Sequence, residues 1–216
     1  MRKKENRRIR GVLFDFDGTL TYPGAIDFAA IKEELRCPPD MPILEYLDTV
    51  SLAEQAPLLA ILEAREEAAA QASLPNTGAE KCLCALKAKG LPLGIITRNS
   101  MPSVCAALEK FSQITIHDFV VVITREKSLP KPHPEGVYQA AAHMGISPSE
   151  LMVVGDFRFD VLAGKAAGAL TVLLQNSDKS LMSPGDPQPD YTVRHLEEIL
   201  AIIDGLSPTR PLGPTS

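Results

Sequence analysis

The feature that most constrains this chain is a series of short, nearly all-apolar segments that alternate with helical ones. Residues 8–16 (RIRGVLFDF), 93–97 (LGIIT), 118–124 (DFVVVIT), 151–156 (LMVVGD) and 169–174 (ALTVLL) read as buried strands. Between and after them, residues 80–90, 101–111, 134–145, 161–168 and 195–204 read as helices, several of them closed by glycine at the C-terminal end. A strand with no polar face must be covered on both sides. Strand–helix alternation of this kind predicts a parallel sheet between two helical layers, an α/β core.

One stretch breaks the alternation. Phe28, Ile31 and Leu35 recur at helical spacing behind Asp27, an N-cap residue type. A second short helix is expected over 42–50, and a third over 57–72 with Pro57 in its first turn. The stiff CPPDMP loop separates the first two, and LPNTG at 74–78 closes the block. This is far too long for a connection. The expected organisation is a discontinuous core (9–21 and 75–204) with a small helical cap inserted at 22–74. Residues 1–8 form a basic arm, and 205–216 are expected to be a disordered tail.

Charge limits the function classes. The chain has 22 basic and 27 acidic side chains, but six basic residues and one acid lie in the first ten positions, so the remaining body carries −10. That balance argues against a nucleic-acid partner. It suits a protein that holds anionic substrates with the help of a bound cation. No apolar run reaches membrane-spanning length, and the start does not read as a signal peptide because two aspartates interrupt the first apolar run. The four cysteines (37, 82, 84, 105) show no CxxC and no histidine at metal spacing. Reduced thiols, and hence a cytoplasmic location, are expected. A monomer or homodimer is expected, with no membrane partner.

Open parallel sheets carry their active sites beyond the carboxyl ends of the strands. The first strand ends in Asp15-Phe16-Asp17-Gly18-Thr19, the second in Thr97-Arg98-Asn99, and the fourth in Gly155-Asp156 with Asp160 one helical turn on. Lys131 lies between two prolines in the loop leading to the helix after the third strand. Four carboxylates brought within a few ångströms need raised pKa values or a cation. All-oxygen donors suit Mg²⁺, which binds through one or two carboxylates plus substrate phosphate. Such a cation and Lys131 together would make a pocket for a phosphate dianion. Asn99 could face a substrate or cap the next helix, and Arg98 could face substrate or solvent. An aspartate at a strand end can also be a mere turn former or cap.

DFDGTL, the apolar strand ending in Thr97, KPHPE and VGDFRFD occur in the order and rough spacing of the haloacid dehalogenase-like hydrolases. From about residue 9 to 200 the chain resembles their phosphoglycolate-phosphatase-like branch, which has a Rossmann-like core and a helical cap after the first strand. The resemblance implies roles. Asp15 would be a nucleophile that forms an aspartyl-phosphate, and Asp17 the general acid and then base. Asp15, the Asp17 carbonyl and Asp156 would hold Mg²⁺. Thr97 and backbone N–H groups would bind phosphate, with Arg98 and Asn99 as further substrate contacts. Lys131 would bridge nucleophile and phosphate, and Asp160 would orient Asp156 or Lys131. Phe157 and Arg158 depart from the small hydroxyl residue frequent after Gly-Asp in the family.

The function so implied is Mg²⁺-dependent hydrolysis of a small phosphorylated metabolite: phosphoglycolate, a sugar phosphate or a nucleotide. A β-phosphoglucomutase-like transferase would use the same aspartate pair, and the short cap disfavours it. A haloacid dehalogenase needs neither Mg²⁺ nor an acid at position 17. A phospho-receiver module would carry its acidic pair before the acceptor strand and would lack the insert.

Overall fold

The computed structural model describes residues 8–177 and 181–206. Among these residues the sheet has six strands, all parallel: β1 (Gly11–Phe14), β2 (Leu93–Ile96), β3 (Val121–Ile123), β4 (Leu151–Gly155), β5 (Leu170–Leu174) and β6 (Tyr191–Val193). Their order is β3-β2-β1-β4-β5-β6. β1 is central, pairing Val12 with Leu93 on one side and Met152 on the other.

The pleat explains the apolar runs. Val12 and Phe14 enter one hydrophobic cluster while Leu13, between them, enters another on the opposite face. The first face is covered by α4 (Ala79–Ala88), α5 (Met101–Leu108) and α8 (Glu198–Leu206), which supply Leu83, Leu86, Val104 and Ile199. The second is covered by α6 (Glu135–His143) and α7 (Arg158–Ala167), with Val137, Ala140 and Ala163. Within the five strands buried on both sides Thr171 of β5 is the one polar residue, and the other polar side chains begin where the strands end. The chemistry-bearing side chains therefore gather at their carboxyl ends.

The remaining helices are α1 (Phe28–Leu35), α2 (Ile43–Leu47) and α3 (Leu52–Ala72). They close on a separate cluster of Ile31, Leu35, Ile43, Leu47 and Leu62. Asp27 caps α1 by accepting from the Ala30 N–H at 3.0 Å. The chain leaves and re-enters the sheet unit at one place. Tyr22 N–H donates to the Leu74 carbonyl and Asn76 N–H to the Leu20 carbonyl, both at 2.8 Å.

Several expectations need correction. β6 was not expected: it has three residues, follows a loop rich in proline and glycine, and buries only Val193. The third strand is only Val121–Ile123, because Ile116–Asp118 winds into a 3₁₀ turn held by Asp118, whose carboxylate accepts from the Thr115 N–H at 2.7 Å. α3 begins at Leu52 rather than Pro57, since Ser51 and Glu54 form a capping box one turn earlier. The last helix runs through Gly205 to Leu206, and Leu206 packs on the core, so the tail does not start at 205. Residues 1–7 of the expected basic arm, and 207–216 of the expected tail, lie outside the described residues. No described helix is long and apolar enough to cross a membrane.

Candidate active site

At the end of β1 the Asp15 N–H donates to the Val154 carbonyl at 2.8 Å. The residue is thus still part of the sheet, and its side chain stands at the rim beside β4. The chain then turns sharply through Phe16–Leu20, with Gly18 at φ +79° and the Thr21 N–H returning to the Phe16 carbonyl at 3.0 Å. Glycine is required at 18 on two counts. The backbone is left-handed there, and a Cβ would lie 2.3 Å from Asp156 Oδ2. Gly155 is as tightly placed, since its Cβ would fall 2.1 Å from Asp160 Cγ. The absence of these two side chains lets the strand ends converge.

Asp15, Asp156 and Asp160 each present a carboxylate oxygen, all within 4.8 Å of one another. Lys131 enters this cluster. Its Nζ donates to Asp15 Oδ1 and Asp160 Oδ1, both at 2.5 Å, and to the Ile96 carbonyl at 3.0 Å. Asp160 is fixed in turn by the Phe157 N–H at 3.1 Å. It is a buried partner of the lysine rather than a solvated helix residue. Thr97 is buried at the end of β2, and its hydroxyl accepts from the Asn99 N–H at 3.0 Å. Asn99 donates from Nδ2 to Asp17 Oδ2 at 3.0 Å, and the next helix is capped by Ser100 instead. Arg98 is held by Glu45 of α2, with Nη1 at 2.9 Å and Nη2 at 2.5 Å from its two oxygens. It also donates to the Lys131 carbonyl and lies over the Phe159 ring at 5.2 Å. All eight residues singled out by sequence line one cavity of about 920 Å³.

The electrostatics reflect crowding. Burial, reinforced by Asp160 and opposed by Lys131, pushes the Asp15 carboxyl up to about 7. Burial and then the charge of Glu66 push Asp17 up to about 7. Burial and the neighbouring Asp15 and Asp160 push Asp156 up to about 8. Burial alone would lower the Lys131 ammonium, but the two carboxylates outweigh it and hold it above its ordinary value. One lysine thus faces an excess of buried carboxylates. An all-oxygen set with surplus negative charge can hold a hard divalent cation.

Sequence reasoning missed several participants. Asn176, after β5, donates to the Gly18 carbonyl at 2.7 Å and approaches Asp156 Oδ2 at 3.4 Å. Asn76, at the re-entry point, donates to the Thr19 carbonyl at 2.9 Å. Glu66 of α3 and Arg125 after β3 form a buried ion pair beside the cavity. None of these belongs to a motif. The available signal was for Asn176 and Arg125, each of which stands two residues beyond an apolar strand.

A family model described as haloacid dehalogenase-like hydrolase matches residues 9–168. The chain belongs to the haloacid dehalogenase-like hydrolase family. It is 29% identical to an uncharacterised hydrolase of Saccharomyces cerevisiae, over 93% of this chain and 94% of that protein. It is also 29% identical to a phosphoglycolate phosphatase of Escherichia coli K12, over 89% and 91% of the two chains. The fold is similar to that of CbbY from Rhodobacter sphaeroides, solved in complex with phosphate, with TM-score 0.70 and 21% identity over 91% and 99%. The haloacid dehalogenase-like architecture thus extends over nearly the whole chain.

Proposed function

We propose that this hydrolase is a Mg²⁺-dependent phosphatase of a small phosphorylated metabolite, acting through an aspartyl-phosphate. The observation that carries this reading is the buried contact of Lys131 Nζ with Asp15 and Asp160, beside Asp156, at the carboxyl edge of the sheet. In this reading Asp15 attacks phosphorus, forming a P–O bond as the ester oxygen leaves. Asp17 gives its proton to that oxygen. Its raised pKa lets it be protonated near neutral pH, and the Asn99 amide fixes one of its two oxygens. Water then attacks the acyl phosphate while Asp17 takes back a proton, releasing inorganic phosphate and free Asp15. Lys131 holds Asp15 in place and offsets charge on the transferring group. The Thr97 hydroxyl, which accepts from Asn99, has its own proton to give a phosphate oxygen.

Asp15, Asp156 and the Asp17 carbonyl would hold the Mg²⁺, which supplies charge neutralisation for the phosphate and the carboxylates around it. An acid at position 17 has no use in dehalogenation. Helices α1–α3, the span 22–74, serve as the cap over a core of 9–21 and 75–204, shielding the site from bulk water. Arg98 belongs to this closure through Glu45 rather than to direct phosphate binding.

The test is a screen of small phosphate esters with Mg²⁺ and with EDTA, using native protein and Asp15→Asn. Phosphate release that needs the metal and vanishes in the variant, with an unchanged circular dichroism spectrum, is the expected result. Undiminished release by Asp15→Asn removes the nucleophile. Glucose 1-phosphate included in the screen should give free phosphate; conversion to glucose 6-phosphate would mark a transferase instead.

A further inference from the structure

Glu66 projects from α3 into the cavity wall and is only 5% exposed. Its two oxygens accept from Arg125 Nη1 at 2.6 and 2.7 Å. Arg125 follows β3, is buried with it, and reaches Glu63 at 3.4 Å. The pair ties α3 to the sheet unit. It also leaves a carboxylate in the cavity that Asp17 lines, and after burial Glu66 is the largest influence on Asp17, the group proposed to protonate the leaving oxygen. Each carboxylate oxygen can accept more than one hydrogen bond, so the salt bridge does not exhaust Glu66.

Of the four cations lining the same cavity, three are paired with carboxylates. Lys131 is bound to Asp15 and Asp160, and Arg98 to Glu45. Arg158 meets Asp186 through Nε at 2.8 Å and Nη2 at 2.6 Å. Lys32 has no carboxylate partner among the described residues, and its ammonium donates to the Pro39 carbonyl at 2.7 Å. Around Glu66 and Asp17 the cavity therefore offers hydrogen-bond acceptors, and Lys32 is the one lining cation among the described residues without a carboxylate to balance a second anion. The cavity, at about 920 Å³, also has more room than a two-carbon acid would fill.

We infer that Glu66 is a specificity-determining residue that accepts a hydrogen bond from a hydroxyl of the leaving group and disfavours leaving groups bearing a carboxylate. This rests on the phosphatase reading above and narrows its substrates to phosphate monoesters of uncharged, hydroxylated alcohols. Phosphoglycolate, the substrate in the name of the E. coli relative, falls outside that class.

A matched pair of esters tests it. Phosphoglycolate and 2-hydroxyethyl phosphate share a two-carbon skeleton and differ in carboxylate against hydroxymethyl. With Mg²⁺, native protein should show kcat/KM at least about tenfold higher for 2-hydroxyethyl phosphate, and Glu66→Gln should shrink that ratio about fivefold or more. The native ratio needs no variant, so the inference stays exposed even if Glu66→Gln fails to fold. A native preference for phosphoglycolate overturns it, and loss of that preference in Lys32→Ala would assign the carboxylate to Lys32. A ratio unchanged in folded Glu66→Gln also overturns it. p-Nitrophenyl phosphate separates the two levels. Its hydrolysis with neither matched ester turned over defeats the inference alone, whereas no hydrolysis of any of the three defeats the phosphatase reading and the inference with it.

Discussion

Lys131 is bound on three sides, by two carboxylates and a backbone carbonyl, and almost no water reaches it. Removing one partner from a buried charge network leaves the others uncompensated. Lys131→Met should therefore abolish phosphatase turnover and also lower unfolding free energy in urea by about 3 kcal/mol. Loss of activity with unchanged stability would mean that the carboxylates relax by taking up protons. Asp15→Asn differs in kind, because it removes a charge from an overcrowded site. The DFDGT residues were legible because they follow one apolar strand directly. Lys131 was legible as a charged residue fixed between prolines. Glu66 was not: in sequence it is one of several acids on a long helix, and only its position against Arg125, 59 residues away, sets it apart.

At the scale of elements, the site depends on how close β1 and β4 bring their following turns. The Gly18 turn lies against Asp156, and Asn176 and Asn76 both bond its carbonyls. Gly18→Ala should cost at least about 1–2 kcal/mol for the left-handed backbone alone, and more for displacing Asp156. A Tm loss together with weakened Mg²⁺ binding by calorimetry would show this, whereas native metal affinity would separate the turn from the carboxylate. Elements with a strong period, such as α1 and β1, follow from local patterning. β6 and the true start of α3 do not. The first is short and half exposed, and the second is set by a capping box ahead of a proline that suggested a later start.

For the whole molecule, the buried carboxylates link folding to protons and metal. Asp15 and Asp17 are pushed up to about 7 and Asp156 to about 8, from an ordinary 3.8. Between those limits the folded state binds more protons than the unfolded one. Metal-free stability should then be greatest toward pH 4 and fall as pH rises through about 8. A divalent cation favours the ionised carboxylates, so the Tm gain on adding Mg²⁺ should be larger at pH 8 than at pH 5. Thermal melts in EDTA and in Mg²⁺ across that range measure both trends. An equal gain at both values would show that the cluster does not hold the ion.

The order of apolar and helical segments was enough for a parallel α/β core, a helical block after the first strand and an acidic edge at the carboxyl ends of the strands. Each rests on local periodicity and on what must follow a strand buried on both faces. Tertiary structure decided which polar side chains meet, including which of its two expected partners Asp160 takes. Arg98 turns to Glu45, Asn99 to Asp17, Asp160 to Lys131 and Glu66 to Arg125. Those pairings join residues up to 82 positions apart. Each of these side chains finds its partner by distance in space, which no local pattern records.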